Sequence, residues 1–258
     1  DAERLALELG RSAARLDALG APGGAPGAYG AAARLGADGR FEDGLWLAFQ
    51  IAVLGPLDEP DPFAEIERVA VGWASGELPQ LEGARLGRRG AGDPARALSA
   101  LGACRAWAAR SGGQAAALAG QPTWTAERRF DRAFERLALP GLGRGPRFEF
   151  LLSAGLLGLA SLRPGGLQLL ADPRDATALA AKRVFGIGDP LLCERRAAAL
   201  ADACALPVAA LDLALVEWTR PDGPHATSGG VSVQPDPEQL ELARAALGLG
   251  SVSGSDAA

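Results

Sequence analysis

The chain has 258 residues, which suffices for one large domain or two small ones, and 48% of its residues are hydrophobic. Alanine and leucine dominate while β-branched and aromatic residues are scarce, so the composition predicts an all-α globular fold and argues against a sheet. The net charge of −5 argues against a protein that only coats nucleic acid.

The N-terminal half is predicted to be helical with two interruptions. Residues 2–19 place leucines at helical spacing, which predicts an amphipathic helix, and the strongly apolar segment 42–54 predicts a buried one. The Gly- and Pro-rich segment 20–30 is expected to be a loop with Tyr29 at its tip. Residues 74–93 are expected to be irregular and to expose the Gly-Arg-Arg-Gly sequence that they contain.

Short polar residues predict where the later helices begin. Asp93, followed by proline, and Thr125 are both expected to cap the helices that come after them. Asp172, again followed by proline, is expected to cap a further helix. Residues 209–218 are expected to form a helix that begins near Asp212, so this aspartate is itself a candidate cap.

Composition and charge divide the chain into three parts. We expect a helical subdomain over residues 1–120, a second one over 121–218, and a polar tail over 219–258 with one helix at 236–247. Residues 121–196 carry 12 Arg or Lys against 8 Asp or Glu, a local net charge of +4. A basic centre between acidic flanks steers a polyanion to one face, although helices that merely expose arginine give the same balance.

Two short sequences in this basic centre have the form hydrophobic-Gly-hydrophobic-Gly. The first glycine turn is Leu-Pro-Gly-Leu-Gly at 139–143, and the second glycine turn is Val-Phe-Gly-Ile-Gly at 184–188. Glycine permits positive φ and has no Cβ, so the backbone N–H groups of such a turn can approach a phosphate, and the dipole of the next helix favours the same anion. The predicted nucleic-acid contacts are the turn glycines and the adjacent cations, namely Gly141, Gly143, Arg144, Arg147, Lys182, Arg183, Gly186 and Gly188. Glycine also ends many helices, so each turn is explained as well by an ordinary C-cap.

The region 139–218 resembles the helix-hairpin-helix DNA glycosylase superfamily. In that superfamily a hairpin that reads LPGVG or similar precedes a helix, and a catalytic aspartate opens another helix further along the chain. Here Asp212 lies 24 residues after Gly188. The stretch FERLALPGLGRGPRFEFLLSAGLLGL, with AAKRVFG and Trp218, also looks like a branch that comprises proteins predicted to act on hypermodified thymines in phage DNA.

The resemblance implies a DNA glycosylase-like helical fold, a DNA partner that carries a modified or damaged base, and hydrolysis of the N-glycosidic bond. Asp212 would be the catalytic carboxylate, which stabilises the positive charge that develops on the sugar or positions a water. No lysine follows the glycines of the second glycine turn, so the implied enzyme is monofunctional, without lyase activity. Asp189 is the alternative acid, although its place before Pro190 also predicts a helix cap.

No motif in the sequence predicts a cofactor or a metal site. His225 is the only histidine, the three cysteines have no CxxC spacing, and no Walker, Rossmann or GxSxG motif occurs. No apolar run reaches membrane-spanning length, so we expect a cytoplasmic protein without a membrane partner.

Two further functions stay open, a non-catalytic helix-hairpin-helix DNA-binding protein and a helical protein-interaction module. The surface position of Asp212 distinguishes them from the enzyme. A place in a positively rimmed cleft beside the second glycine turn favours the enzyme, whereas burial with backbone caps alone favours the other two functions.

Overall fold

The computed structural model describes residues 1–170, 172, 174–220 and 229–250, and this part of the chain is all-α. It contains twelve α-helices, one 3-10 turn at Trp73–Ser75 and no β-strand. The helices are α1 (Ala2–Gly20), α2 (Gly27–Ala37), α3 (Phe41–Leu54), α4 (Ala64–Val69), α5 (Pro94–Ala109), α6 (Gln114–Ala119), α7 (Ala126–Arg136), α8 (Arg144–Leu156), α9 (Ala176–Phe185), α10 (Pro190–Ala203), α11 (Ala209–Trp218) and α12 (Pro237–Ala246). The prediction of an all-α fold is confirmed.

Helix α3 lies at the centre of the core because its sequence is apolar on nearly every side. Trp46 and Phe49 are fully buried, and their stacked rings have centroids 5.9 Å apart. Phe49 also meets Phe150 of α8 edge to face at 5.0 Å. Helix α3 contacts both α2 and α8, so the helix that follows the first glycine turn packs directly against the core.

The core is continuous across residue 120. Helix α1 packs against α11 and α12, and α3 packs against α8. One cluster of buried apolar side chains includes members of every helix from α1 to α12. The segments 1–120 and 121–218 therefore share a core, and α12 joins it from the C-terminal segment.

Several helices begin where the polar caps predict. The side chain of Asp93 accepts a hydrogen bond from the backbone N–H of Arg96 at 2.9 Å, and that of Thr125 accepts one from Arg128 at 3.2 Å. Helices α1, α3 and α12 also occupy the predicted segments within one residue or two. These helix starts can be predicted from the sequence because a capping side chain lies next to the helix that it caps.

Three predicted boundaries are wrong. Residues 27–37 form α2 where a loop was expected to continue to residue 30, and Tyr29 is fully buried. The helix expected to start at Asp172 starts after Asp175, whose side chain caps it. Helix α11 begins three residues before Asp212, so this aspartate lies inside the first turn and is not the cap.

Among the described residues, no helix combines the length and the apolar character that crossing a bilayer requires. His225 and residues 251–258, which belong to the predicted polar tail, lie outside the described residues. The described part of that tail after residue 228 contains α12.

Candidate arginine-lined binding site

The second glycine turn joins α9 to α10 through four residues. Gly186 ends α9 in the left-handed conformation, with φ of 66° and ψ of 21°, and donates its N–H to the carbonyl of Lys182 at 3.0 Å. Asp189 then caps α10, since its side chain accepts from the N–H of Leu192 at 2.9 Å. Gly186 and Gly188 are exposed, and an added Cβ on either would meet no atom within 4 Å. The backbone of this turn is therefore open to a partner.

The first glycine turn joins α7 to α8, and it is packed rather than open. Gly141 has φ of 77°, and an added Cβ would lie 2.3 Å from the carbonyl oxygen of Arg96 on α5. Leu142 is buried, and Gly143 precedes α8 as its N-cap, with no side chain to satisfy the first N–H groups of the helix. Gly141 thus serves the contact with α5, while the start of α8 is left available to another hydrogen-bond acceptor.

The two arginines expected to contact DNA beside the first glycine turn lie inside the protein. Arg144 is 4% exposed and Arg147 is 7% exposed. Arg147 donates to the carbonyl of Phe134 at 3.0 Å, its guanidinium carbon lies 4.2 Å from the centroid of the Phe134 ring, and burial lowers its pKa. Burial therefore removes both guanidinium groups from the outer surface, where a DNA backbone was expected to meet them.

The cations before the second glycine turn are more accessible. Arg183 is exposed, with its guanidinium carbon 5.2 Å from the centroid of the Trp218 ring, and Lys182 is partly exposed. Both lie in the last turn of α9, where positive charge interacts favourably with the helix dipole. Among the predicted contacts, the exposed ones are Arg183, Gly186 and Gly188 at the second glycine turn.

Asp212 is buried in the first turn of α11, where it binds two arginines from distant parts of the chain. One carboxylate oxygen accepts hydrogen bonds from Arg144 Nη1 and, at 3.1 Å, from the hydroxyl of Thr177. The other oxygen accepts from Arg89 Nη2 at 2.5 Å. Burial by itself would raise the pKa of this carboxyl, but the guanidinium groups of Arg144 and Arg89 lower it to about 2. Asp212 is therefore an ionised carboxylate that buried side chains bind. It lies neither in an open, positively rimmed cleft nor in a site capped by backbone groups alone, the two positions that were expected to distinguish the functions.

A second buried carboxylate extends this network to the N-terminal helices. Glu149 of α8 accepts from Arg15 Nη2 at 2.5 Å and from the hydroxyl of Tyr29 at 2.9 Å, and it lies 3.8 Å from Arg89 Nη2. Although burial opposes ionisation, Arg15 and Arg89 hold the pKa of Glu149 below its usual value. Burial and the Glu149 charge both raise the pKa of Tyr29. Five charges of alternating sign thus run through the interior, in the order Arg15, Glu149, Arg89, Asp212 and Arg144.

A cavity of about 250 Å³ lies beside this network, and we name it the arginine cavity. Five arginines and two aspartates line it, a formal excess of three positive charges, and they are Arg88, Arg89, Arg96, Arg144, Arg174, Asp172 and Asp175. Gly143 and the first residues of α8 form another part of the wall, so the positive end of that helix dipole borders the cavity. Asp212 lies behind the wall, 1% exposed, and is linked to it through Arg89 and Arg144.

The arginines of the cavity differ in how far their charges are neutralised. Arg144 is bound to Asp212, and Arg174 is paired with Asp172. Arg88 and Arg96 are exposed and form no ion pair with any described residue. Arg89 binds Asp212 through Nη2, whereas its Nη1 is buried and has no hydrogen-bond partner in the described part of the chain.

The Gly-Arg-Arg-Gly sequence at 87–90 is a tight loop that positions Arg89. Its backbone lies on the end of α3, where the N–H of Gly87 donates to the carbonyl of Leu54 at 2.8 Å. An added Cβ on Gly90 would lie 2.6 Å from that same carbonyl oxygen, and one on Gly87 would lie 2.1 Å from neighbouring backbone. Because only glycine permits this approach, the two glycines fix the loop and place the second arginine in the interior.

Asp175 is the buried carboxylate that lines the arginine cavity itself. Its side chain is 3% exposed, and Oδ1 accepts from the N–H of Thr177 at 3.1 Å. Oδ2 lies 3.8 Å from Arg144 Nε. Burial raises the pKa of Asp175, and the neighbouring Arg144 guanidinium, together with backbone hydrogen bonds from Ala178 and Leu170, opposes this only in part.

The structure separates the two predicted aspartates, since Asp212 adjoins the arginine cavity whereas Asp189 is an exposed helix cap outside its lining. Arg89, Glu149 and Asp175 are not among the predicted site residues. The glycines that flank Arg89 are a local signal for a fixed loop, but nothing near Glu149 in the sequence indicates its buried arginine partners.

No group of three or more His, Cys, Asp or Glu side chains among the described residues is arranged to bind a metal ion. No protein-family model, curated protein or solved structure matches the chain. The residues of the site present buried and exposed guanidinium groups and a helix start, all of which suit an anion.

Proposed function

We propose that the protein binds DNA, with a phosphate group at the arginine cavity and the exposed second glycine turn as a further contact with the backbone. The observation that carries this proposal is the set of five arginines around one cavity, in a chain whose net charge is −5. These arginines come from three separate parts of the chain and repel one another there, and the two lining aspartates with Asp212 behind the wall still leave a formal excess of two positive charges. An anionic ligand removes this repulsion, and phosphate suits the guanidinium group because it accepts hydrogen bonds from a planar fork.

The two proposed contacts lie at opposite ends of α9. Asp175 and Thr177 are at the cavity end, and Gly186 is at the end with the second glycine turn. Since α9 has 10 residues, it spans about 15 Å, which corresponds to about four base pairs of a duplex. One short segment of DNA is therefore long enough to reach both contacts.

A matched pair of arginines at the two ends of α5 tests the proposal. Arg96 lines the arginine cavity and Arg110 follows the other end of the helix, about 21 Å away along its axis, and both are exposed without an ion pair among the described residues. We expect Arg96→Gln to weaken the binding of a fluorescent DNA duplex several-fold and to reduce the slope of log affinity against log salt by about one. Arg110→Gln should leave both quantities unchanged.

Equal effects of the two substitutions would show that DNA responds only to total charge and not to this cavity. No salt-dependent binding of either single-stranded or duplex DNA by the wild-type protein would refute the proposal. That result would favour the helical protein-interaction module.

A second candidate function is hydrolysis of the N-glycosidic bond of a modified or damaged base, and the position of Asp212 favours it. This carboxylate is ionised, lies directly behind the arginine cavity and follows Gly188 by 24 residues. Both of its oxygens are already bound, so in this reaction Asp212 is a positioning residue that fixes Arg89 and Arg144 around a base flipped out of the stack.

Base release is measured by incubating the wild-type protein with duplexes that carry damaged and phage-type modified bases, followed by alkaline cleavage at abasic sites. Release of one base supports the second candidate, and Asp212→Asn should then reduce the rate while Asp189→Asn does not, in proteins whose folding is checked by circular dichroism. Salt-dependent binding without release from any duplex limits the function to DNA binding.

A further inference from the structure

Helix α10 has a largely apolar outer face. Leu191 is 72% exposed and Leu192 is 45% exposed, the two highest values among the exposed large hydrophobic side chains of the described residues. Further along the same helix, Ala198, Ala199 and Ala203 are exposed as well. Apolar side chains that are exposed next to one another, rather than singly, indicate contact with a partner.

Two charged residues without an ionic partner lie on the same face. Arg195 and Asp202 are exposed, and neither forms an ion pair with any described residue. Steps of three, four and seven residues keep side chains on one face of a helix, and such steps connect the two leucines, the two charges and the two alanines between the charges. We name this surface the α10 face, and it consists of Leu191, Leu192, Arg195, Ala198, Ala199 and Asp202.

The charges of the α10 face are complementary to those of a second copy. Arg195 and Asp202 lie at equal distances along the chain from the point between Ala198 and Ala199. When two such helices pack antiparallel about a two-fold axis through this point, Arg195 of each copy meets Asp202 of the other. Alanine side chains at the crossing allow the helix axes to approach to about 8 Å, which brings the opposite charges within reach.

The two ends of the α10 face match in the same way. Leu192 and Ala205 are also equally far from the central point, and Ala205 and Pro207, which follow the helix, are both exposed. The leucines at the start of one helix therefore meet apolar residues just beyond the end of the other. DNA suits this face less well, because leucine and alanine side chains offer no donor to a phosphate and Asp202 repels it.

We propose that two copies of the chain associate through the α10 face, packed antiparallel about a two-fold axis between Ala198 and Ala199. Ala198 follows Gly188 by ten residues, about 15 Å of helix, so the interface is centred away from the second glycine turn. One pair of helices buries less than the about 1,600 Å² of a standard interface, so the dimer is weak, with a dissociation constant of about 10–100 μM. The inference goes beyond DNA binding and does not depend on it.

The test reverses the two charges of the α10 face separately and follows self-association of the intact protein by sedimentation velocity, from about 5 to about 500 μM at neutral pH. Arg195→Asp and Asp202→Arg should each weaken association by about tenfold or more, because each places two like-charge pairs across the interface. An equimolar mixture of the two variants should associate with an affinity close to that of the wild type, because both of its charge pairs are again opposite. Arg110→Asp, the same reversal just after α5, should leave association unchanged, and circular dichroism checks the folding of all three variants.

A wild type that stays monomeric over this range overturns the inference, whether the α10 face then binds a different protein or none. A mixture that associates no better than either variant alone overturns the antiparallel arrangement. An equal effect of Arg110→Asp assigns the association to net charge and not to this face. Self-association without DNA binding leaves the inference in place and removes the proposed function, and DNA binding by a monomer does the reverse.

Discussion

Gly141 in the first glycine turn lies against the backbone of α5, whereas Gly186 in the second has no atom within 4 Å of the place where a Cβ would be. The cations beside the two turns also differ in exposure. Arg147 beside the first turn is buried on an aromatic ring, and Arg183 beside the second is exposed. Two turns with the same spacing of glycines thus occupy opposite environments.

Such a spacing of glycines therefore specifies the shape of a turn but not its use. In the first glycine turn, glycine allows two helices to come close, and this contact fixes the start of α8 and Arg144 beside the arginine cavity. In the second, glycine leaves a backbone free for an external partner. The first turn therefore positions part of the wall of the arginine cavity, and the second turn exposes its backbone on the protein surface.

The largest effect that distinguishes the two regions is expected from their aspartates. Asp212→Asn leaves Arg89 and Arg144 buried without their anion, so it should lower the free energy of unfolding by about 3–5 kcal/mol. Asp189→Asn at the second glycine turn should change it by only a few tenths of a kcal/mol, because asparagine is an equally good cap. Urea unfolding followed by tryptophan fluorescence measures both. Equal losses would mean that the buried ion pairs of Asp212 contribute no more to the free energy of unfolding than the helix cap at Asp189 does.

The glycines themselves give the next largest difference. Gly141→Ala combines a positive φ with a Cβ placed 2.3 Å from a carbonyl oxygen of α5, so it should cost about 3 kcal/mol or more. Gly186→Ala bears only the cost of the left-handed conformation, about 1 kcal/mol. The same unfolding measurement applies. A cost at Gly186 that equals the cost at Gly141 would contradict the view that only the first turn is packed.

Much of the helical fold is predictable from sequence because its signals are local. The caps Asp93 and Thr125 and the apolar segment of α3 each specify an element by themselves. Helix α2 is not predictable in this way, since its Gly-rich sequence is typical of a loop. It is helical because it packs on α3, where Gly44 brings the two backbones so close that an added Cβ would lie 2.9 Å from the carbonyl oxygen of Ala32.

The candidate site is predictable only in part, for a related reason. Asp212 can be identified as a residue of interest from its distance after a glycine turn. Its partners cannot, because Arg144 is 68 residues away and Arg89 is 123 residues away in the chain. The arginines beside the first glycine turn were expected on the surface, and only packing against buried carboxylates and aromatic rings shows that they point inward.

Acid should weaken the region of the first turn more than that of the second. The pKa of Asp212 is about 2 in the folded protein and close to 3.9 when unfolded, so the unfolded chain binds the proton first as the pH falls. The stability that Asp212 contributes is complete above about pH 5 and is lost progressively toward pH 2, a loss of about 2 kcal/mol.

Two other buried carboxyls modify this acid response. The lowered pKa of Glu149 adds to the loss, and the raised pKa of Asp175 offsets part of it. Urea unfolding at about pH 7 and about pH 3 should show the loss in the wild type and in Asp189→Asn, and a smaller one in Asp212→Asn. An equal loss in Asp212→Asn would assign the acid response to other groups.

The smallest expected effect concerns the cations of the two turns and their part in the proposed DNA binding. Lys182→Gln with Arg183→Gln should weaken duplex binding several-fold and reduce the salt slope by about one for each cation that meets a phosphate, with little change in stability. Arg147→Gln should do the opposite, because it loses the hydrogen bond and the ring contact with Phe134 and removes no surface charge. If Arg147→Gln instead lowered the salt slope, the first glycine turn would have to open when DNA binds, and the environments of the two turns would then differ only in the free protein.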